Sequence, residues 1–287
     1  MNEGPQKWSG GNLWEMTNRA RVITLIGAGG KTTCLRVLTQ LIREAGYPVT
    51  ATTTTKVYPE GLMQAWHHPS QPPPSEQKNA YFWYSEVEAK SGKWLGPSSA
   101  AVDKAILGDL QLSNSGAGVF PRYWVIEGDG ARERLLKCWA EHEPQIPDCS
   151  VCGVLVMAGK LWGHVLEADH VHRSEHCADL LDLPWTEESV WRYLLKSPVF
   201  WPQYRQLSWV IFLNIPGLKA WKPSLHLEEL EEPNPPEYYD AADLVAALKR
   251  RWLELNEQGI NVEHKPRSLR LAAGDAKEGT LTWFDLW

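Results

Sequence analysis

The chain has 287 residues, of which 43% are hydrophobic, and it carries a formal net charge of −6 with a pI near 5.9. This length and composition suit one large domain with a smaller appendage and argue against extended disorder. The acidic balance argues against nucleic acid or an anionic membrane as a partner, because binding to phosphate backbones requires concentrated Lys and Arg.

The first predicted elements form a βαβ unit. Residues 1–20 are polar, and we expect them to be a leader into the first strand. Residues 22–26 are a short apolar run that ends in glycines, and 31–45 place their apolar side chains on one helical face. Residues 48–54 are again extended. This order predicts a right-handed crossover with a parallel second strand.

The later elements continue this alternation. Strands are predicted at 81–84, 123–127, 151–157 and 209–213, and helices near 99–107 and 187–196. The proline-rich stretch 69–74 and the Ser, Asn and Gly residues of 110–118 predict loops. Strands alternating with helices are typical of the α/β class. We therefore predict a mostly parallel sheet flanked by helices.

The C-terminal part predicts one helix and short strands. Asp240 is a predicted N-cap for a helix over 241–255, and 269–271 with 281–284 are a candidate hairpin or edge strands. We divide the chain into a leader (1–20), a nucleotide-binding α/β domain (21–225) and a C-terminal helical and edge-strand extension (226–287).

The sequence also predicts a location. It contains no run of about 18 apolar residues and no signal-peptide core near its start, so we expect a cytoplasmic protein without a membrane partner. Five scattered cysteines fit a reducing compartment, and disulfides are not expected.

The glycine-rich turn after the first strand predicts a phosphate site. Such a turn directs backbone N–H groups and the positive end of a helix at an anion. Lys31 adds a cation, and Thr32 is placed to ligate magnesium, with Thr33 next to it. Leu25 stands where a standard P-loop would have glycine, and the shorter loop resembles the ATP loop of Mur-type amide ligases. A glycine turn with an exposed lysine is the alternative. The predicted nucleotide-binding loop comprises Gly27, Ala28, Gly29, Gly30, Lys31, Thr32 and Thr33.

Two carboxylates end the strand at 123–127. Glu127 and Asp129 are predicted to bind the magnesium ion with Thr32 and to take part in catalysis together with Lys31. A charged turn in which Asp129 caps a helix is the alternative interpretation.

Two threonines are further candidates for nucleotide binding. Thr54 and Thr55 follow the second strand, at the sheet edge where parallel sheets bind ligands. An ordinary strand end is the alternative, because threonine is a good strand former, but the glycine loop beside them favours the functional interpretation.

His172 and Arg173 are the last catalytic candidates. Arg173 could stabilise phosphate charge and His172 could transfer a proton, whereas a solvated loop is the alternative. Cys149 and Cys152 form a C-x-x-C whose zinc-site signature is incomplete, because no second pair follows.

Several motifs follow one another in order along the chain, at 24–33, 52–56, 127–131, Lys137, 142–144, 146–147 and 171–173. Together they resemble the YqeC family of selenium-dependent hydroxylase accessory proteins, over about residues 21–215. The resemblance implies a P-loop protein that assists maturation of selenium-dependent molybdenum hydroxylases. Residues 214–217 lack the Lys and Asp of a guanine-recognising turn.

These patterns support one main hypothesis. The chain would bind and hydrolyse a nucleoside triphosphate, ATP or GTP, with Mg²⁺, and would serve a molybdenum hydroxylase or its cofactor as an accessory factor. The alternative is a ligase or kinase-like transferase that acts on a small molecule with the same nucleotide. The ligase version would proceed through an acyl phosphate and would release phosphate only with an acceptor.

Overall fold

The computed structural model describes residues 8–74, 79–114, 122–217, 240–260 and 262–287. Within these ranges the chain forms strands and α-helices joined in places by short 3-10 turns. The strands are β1 (Trp8–Gly11), β2 (Val22–Gly27), β3 (Val49–Thr53), β4 (Lys56–Val57), β5 (Gln64–His67), β6 (Ala80–Tyr84), β7 (Glu86–Val87), β8 (Trp94–Leu95), β9 (Tyr123–Glu127), β10 (Leu136–Lys137), β11 (Cys152–Ala158), β12 (Val171–His172), β13 (Ser208–Asn214), β14 (Ser268–Asp275) and β15 (Thr280–Asp285). The helices are α1 (Leu13–Met16), α2 (Lys31–Glu44), α3 (Ser99–Asn114), α4 (Glu187–Lys196) and α5 (Ala241–Glu257).

Most of these strands form one sheet. Among the described residues its order is β1-β15-β14-β13-β11-β2-β9-β3-β6-β5. The neighbours from β14 to β5 pair in parallel, whereas β15 pairs antiparallel with β14 and with β1. The prediction of a mostly parallel sheet flanked by helices is confirmed, and so is the terminal hairpin.

The centre of this sheet is a topological switch point. The chain leaves β2 through α2 and returns in β3, but β9 is inserted between β2 and β3. β11 lies on the other side of β2. Because connections leave in opposite directions here, a crevice opens at the carboxyl ends of the strands, where open α/β sheets bind their ligands.

Alternate residues of β2 supply the cores on the two faces. Ile23 and Leu25 pack with α1 and α2 on one face, while Val22 and Ile26 lie on the face covered by α3, α4 and α5. Tryptophans contribute much of this core volume, and each buried ring removes a large apolar area from water. Among the described residues, the fully buried ones are Trp83, Trp124, Trp185, Trp191 and Trp209.

The segment expected to be a leader is part of this fold from Trp8 onward. β1 pairs with β15 at the sheet edge, and α1 buries Leu13 and Met16. Asn12 caps α1 in a reciprocal capping box with Glu15. The proposed boundary near residue 225 lies outside the described residues and stays a prediction.

The prediction of a loop at 110–118 is wrong over 110–114, because α3 continues to Asn114. Tertiary contacts stabilise this extension, since Arg122 donates to both Asp109 carboxylate oxygens at 2.8 Å and Leu110 packs against the core. Residues 115–118 lie outside the described part.

The region from Lys56 to Pro74 is more structured than its composition suggests. β5 forms the sheet edge, and β4 joins β7 and β8 in a small antiparallel sheet. Residues 69–74 lie outside strands, as predicted, but Pro73 is buried and its carbonyl accepts from Arg122 at 2.5 Å.

The expectation of no disulfide is wrong, because Cys138 and Cys177 are bonded with a Cα–Cα distance of 6.2 Å. Parallel pairing of β10 with β12 brings together two segments that are far apart in sequence, and the Cys138 N–H donates to the His172 carbonyl. Spacing alone gave no sign of this pairing.

None of the described helices has the length and apolar character needed to span a bilayer.

Candidate functional site

The glycine loop joins β2 to α2, and its shape requires glycine. Gly27 has a φ of +93°, and a Cβ there would lie 2.4 Å from the Val156 carbonyl oxygen. Gly29 has a φ of +86°, and a Cβ there would lie 2.4 Å from the Ala158 backbone nitrogen. Since side chains rarely tolerate this backbone region, β11 can approach the loop so closely only because both residues are glycine.

The N-terminus of α2 faces a cleft. Gly30 is the N-cap of this 14-residue helix, and no side chain of the described residues caps its first turn. The first N–H groups of a helix lack intrahelical acceptors and carry the positive end of the dipole. They are therefore available to an anion. Ala28, Gly29, Gly30, Lys31, Thr32 and Thr33 all line the cleft, whereas Gly27 lies at the base of the loop.

Asp129 lies fully buried beneath the loop. Its carboxylate accepts from the Gly27 N–H at 3.0 and 3.2 Å and from the Trp139 indole N–H at 2.7 Å. Lys31 Nζ is 3.1 Å from the same carboxylate. Direct metal ligation, as predicted from sequence, would require Asp129 to give up one of these contacts. Its geometry here is that of a residue that holds the loop.

Lys31 is folded down beneath the loop. Its Nζ donates to the Gly27 carbonyl at 2.5 Å and lies 3.9 Å from Glu127. Burial by itself lowers the pKa of Lys31, but the Asp129 and Glu127 carboxylates outweigh burial and hold this pKa above its ordinary value. Lys31 is therefore protonated at neutral pH, and a bound anion would compete with Asp129 for it.

Glu127 and Thr32 meet at the floor of the cleft. Thr32 Oγ1 donates to Glu127 Oε2 at 3.3 Å. Glu127 ends β9 in register with Leu25 of β2 and Thr53 of β3, which places it beside the loop. Burial raises the pKa of Glu127, although the neighbouring Lys31 opposes the shift. Because carboxylate and hydroxyl oxygens are ligands that Mg²⁺ accepts, this pair fits the predicted metal site.

A second buried lysine extends the charged layer. Lys137 Nζ donates to the Gly130 carbonyl at 2.5 Å and lies 3.1 Å from Glu143 and 4.0 Å from Asp129. Burial lowers the pKa of Lys137, and the carboxylates only partly oppose it. Arg173 Nε is 2.8 Å from Glu143, as a close ion pair without the alignment of a hydrogen bond.

These contacts form a chain of alternating charges from the loop to the cleft wall, in the order Lys31, Asp129, Lys137, Glu143 and Arg173. Burial by itself raises the pKa of Glu143, but the two cations hold it below its usual range. The structure thus connects the predicted site residues through Lys137 and Glu143, the segment that the family resemblance singled out.

His172 and Arg173 both line the cleft, as a site role requires. Burial lowers the pKa of His172, and the cations Lys137, Arg173 and Arg132 lower it further. His172 is therefore neutral at pH 7 and able to accept a proton.

The threonines at 53–55 differ in their position relative to the cleft. Thr55 lines the cleft. Thr54 is absent from its lining among the described residues, and its hydroxyl donates to the Gln145 carbonyl at 2.9 Å. Thr53 donates to the Glu127 carbonyl at 3.1 Å. Most of the run therefore joins neighbouring segments at the end of β3.

Two residues of the site were not predicted. Asn214 is buried, donates to the Gly29 carbonyl at 2.8 Å and accepts from the Ala276 N–H at 3.2 Å. Asn214 ends β13 at the same sheet edge as the loop. This position at the end of a predicted strand is the sequence feature that could have identified it. Trp139, which holds Asp129, follows no pattern that would have revealed it.

The cleft measures about 550 Å³, within the usual range for small-ligand sites. Its lining is strongly cationic although the whole chain is acidic. The lining cations are Lys31, Arg36, Lys56, Lys93, Arg132, Arg134 and Arg173, and the lining carboxylates are Glu127, Glu133 and Glu143.

The described residues provide no set of ligands for the zinc site considered as an alternative. Within the described ranges no group of three His, Cys, Asp or Glu residues is arranged to hold a metal. Burial raises the pKa of Cys149 to about 11 and that of Cys152 to about 12, which disfavours the thiolate form that metals bind.

Known proteins support a family assignment. A curated relative from Escherichia coli (strain K12), described as "Uncharacterized protein YqeC", is 32% identical over 173 residues, or 58% of this chain and 62% of the relative. The chain thus spans less than two thirds of that relative's length, and no solved structure matches it. The family model described as "YqeC protein" matches residues 23–175, which contain the glycine loop, Glu127, Asp129, His172 and Arg173. The chain belongs to the YqeC family.

Proposed function

We propose that this chain binds a magnesium nucleoside triphosphate, ATP or GTP, at the glycine loop and hydrolyses it, with a P-loop NTPase-like arrangement of loop and helix. One observation carries the proposal: the uncapped start of α2 lies in a cationic cleft next to the Thr32–Glu127 pair. Backbone N–H groups, a helix dipole and nearby cations together favour a polyphosphate.

Each residue would have a distinct part. The N–H groups of 29–33 would bind phosphate oxygens, and Lys31 would turn from Asp129 toward them. Thr32 and Glu127 would hold Mg²⁺, which would neutralise phosphate charge when bound. Arg173 would stabilise charge on the transferred group, and neutral His172 would accept a proton. Asp129 would position the loop and Lys31.

The cellular role in this proposal comes from the family. The YqeC resemblance implies an accessory factor in maturation of selenium-dependent molybdenum hydroxylases, with a hydroxylase or its cofactor as partner in the cytoplasm. The chain of buried charges between the loop and the cleft wall supports a nucleotide-dependent change at that wall. Turnover stimulated by apo-hydroxylase would favour this role.

A ligase or kinase-like transferase is the second candidate. The arginines on the cleft wall favour it, because a small anionic acceptor could bind there beside the nucleotide. Phosphate release that depends on a small acid or amine would favour this version.

The test is thermal unfolding with Mg²⁺ plus ATP, GTP or CTP. Binding at 100 times Kd adds about 2.7 kcal/mol, which corresponds to roughly 5 to 10 °C for a chain of this size. Lys31→Ala should abolish the shift caused by nucleotide. Because Lys31→Ala also removes the nearer of the two lysines beside Asp129, the shift on adding nucleotide is compared, and not the absolute Tm.

Lys104→Ala is the matched control, since Lys104 is exposed on α3 and lies outside the loop cleft. It should retain the full shift. If no nucleotide shifts the Tm of the native chain, or if Lys31→Ala shifts as far as the native chain, the proposal fails.

A further inference from the structure

A second wall of the cleft differs from the glycine loop in the segments of the chain that form it and in the charge that it carries. It is formed by residues 130–135 together with His172 and Arg173. Pairing of β10 with β12 and a hydrogen bond from the Leu135 N–H to the His170 carbonyl hold the two segments together. We call Arg132, Arg134 and Arg173 the arginine wall.

The arginine wall places three guanidinium groups along one side of the cleft, beside the single carboxylate of Glu133. Arg173 pairs with the mostly buried Glu143, and Arg134 pairs with the exposed Asp169. Arg132 and its neighbour Glu133 are both exposed, and the side chain of neither has a hydrogen-bond or ion-pair partner within the described part of the chain. The cleft-lining side chains of this wall are three cations and one carboxylate, in a chain of net charge −6, and this local excess of positive charge favours an anion here.

The backbone of this wall is unusual. Arg132, Glu133 and Arg173 have φ values of 48°, 62° and 61°, in a region that residues other than glycine seldom occupy. The turn is fixed by a hydrogen bond from the Arg134 N–H to the Ala131 carbonyl at 3.0 Å. Such conformations persist where surrounding contacts impose them, and they cluster at ligand sites.

The phosphates of a nucleotide do not account for all of these groups. The loop, the start of α2, Lys31 and Thr32 already supply donors for a triphosphate from one side of the cleft. The arginine wall belongs to other elements, and of its three residues only Arg173 has a part at the transferred phosphate in the proposed function. The guanidinium groups of Arg132 and Arg134 remain, and such groups match the planar or tetrahedral oxygens of carboxylates and phosphates. His172, neutral and next to Arg173, adds a group that could accept a proton from a bound molecule.

We propose that the arginine wall binds a second substrate through a carboxylate or phosphate group while the glycine loop holds the nucleotide. This inference rests on the proposed function and specifies it, because the cleft is then a two-substrate site. Arg132 is the residue that most directly contacts the second anion.

The experiment measures binding of a small anion to the full chain saturated with Mg²⁺ and a non-hydrolysable ATP analogue. Inorganic phosphate and succinate are titrated separately by calorimetry, so that the two arms distinguish a phosphate from a carboxylate ligand. Arg132→Ala should weaken the preferred anion about ten-fold, the order expected for one lost charged hydrogen bond. Affinity for the analogue should change less than about two-fold.

Arg250→Ala, at an exposed arginine of α5 outside the cleft, is the control and should bind both ligands as the native chain does. If the analogue binds but neither anion binds beside it, or if Arg132→Ala binds the anion normally, the second-substrate site is refuted while the nucleotide site stands. If the analogue itself does not bind, the proposed function fails and this inference fails with it.

Discussion

Two layers of the molecule meet at the glycine loop, and they are built in opposite ways. Beneath the loop, Asp129, Lys31, Lys137 and Trp139 are buried and satisfy one another. Above it, the cleft carries cations in excess, and Arg132 is exposed without a partner in the described part. The difference indicates that the lower layer fixes the shape of the loop while the upper layer keeps charge available for a ligand. Apart from Lys31, which belongs to both layers, substitutions below should therefore mainly reduce stability, and substitutions above should mainly reduce binding.

The largest expected effect comes from Asp129→Ala. This change leaves Lys31 and Lys137 without their shared carboxylate and removes the acceptor of the Gly27 and Trp139 N–H groups. Removing one partner from a buried charged network costs about 3–5 kcal/mol. Urea unfolding followed by tryptophan fluorescence measures the loss. Asp129→Asn should lose less, because its amide oxygen can still accept one N–H.

Asp179→Ala is the matched control for this comparison. Asp179 pairs with Lys196 at 2.6 Å, but both side chains are largely exposed, so the loss should stay below about 1 kcal/mol. Equal losses at Asp129 and Asp179 would contradict the view that the lower layer holds the loop.

An intermediate effect is expected at Asn214, which connects the loop to the turn between β14 and β15. Asn214→Ala removes hydrogen bonds to the Gly29 carbonyl and from the Ala276 N–H, at a cost of about 1–2 kcal/mol. Asn214→Asp separates the effects of these two hydrogen bonds, because a carboxylate can accept from the Ala276 N–H but cannot donate to the Gly29 carbonyl. We expect nucleotide affinity to fall in both variants, as measured by calorimetry.

Asn256→Ala, at an exposed position of α5, should leave stability and nucleotide affinity unchanged within error. A destabilised Asn214→Ala that binds nucleotide normally would mean that Asn214 supports the sheet and not the loop.

The sequence predicted the glycine loop better than the layer beneath it. Glycines between a buried strand and an amphipathic helix form a local pattern, so the loop and α2 could be placed from neighbouring residues alone. Neighbouring residues alone could not show which carboxylate lies beneath the loop. That depends on the register of β9 against β2, which aligns Glu127 with Leu25 and leaves Asp129 below.

Long-range pairing of very short strands was also invisible in the sequence. β10 and β12 have two residues each, too few for a periodic pattern, yet they bring Lys137 to the site and Cys138 to Cys177 across 39 residues. The end of α3 was missed for a related reason, because Asp109 is held by Arg122, which lies outside the helix just before β9. Local propensity does not contain these contacts.

The smallest expected effect on stability is at Glu127, which lies between the two layers. Its pKa is raised in the folded chain, so the folded state binds the proton more tightly than the unfolded state. This contribution to stability is present below the ordinary value of 4.5 and is lost as pH rises through the folded-state pKa. At neutral pH the charge of Glu127 therefore costs stability, and Glu127→Gln should unfold at the same or a higher urea concentration than the native chain.

Binding should respond in the opposite direction. If Glu127 holds Mg²⁺ with Thr32, nucleotide affinity of the native chain should fall on acidification at pH values above 4.5, where an ordinary carboxylate would still be ionised. Glu127→Gln should lose most of the Mg²⁺ dependence at every pH, as measured by titrating Mg²⁺ at fixed nucleotide. Glu133→Gln, at an exposed carboxylate of the same cleft, should keep it. A Glu127→Gln chain that is much less stable yet retains full Mg²⁺ dependence would place Glu127 in the lower layer and remove it from the metal site.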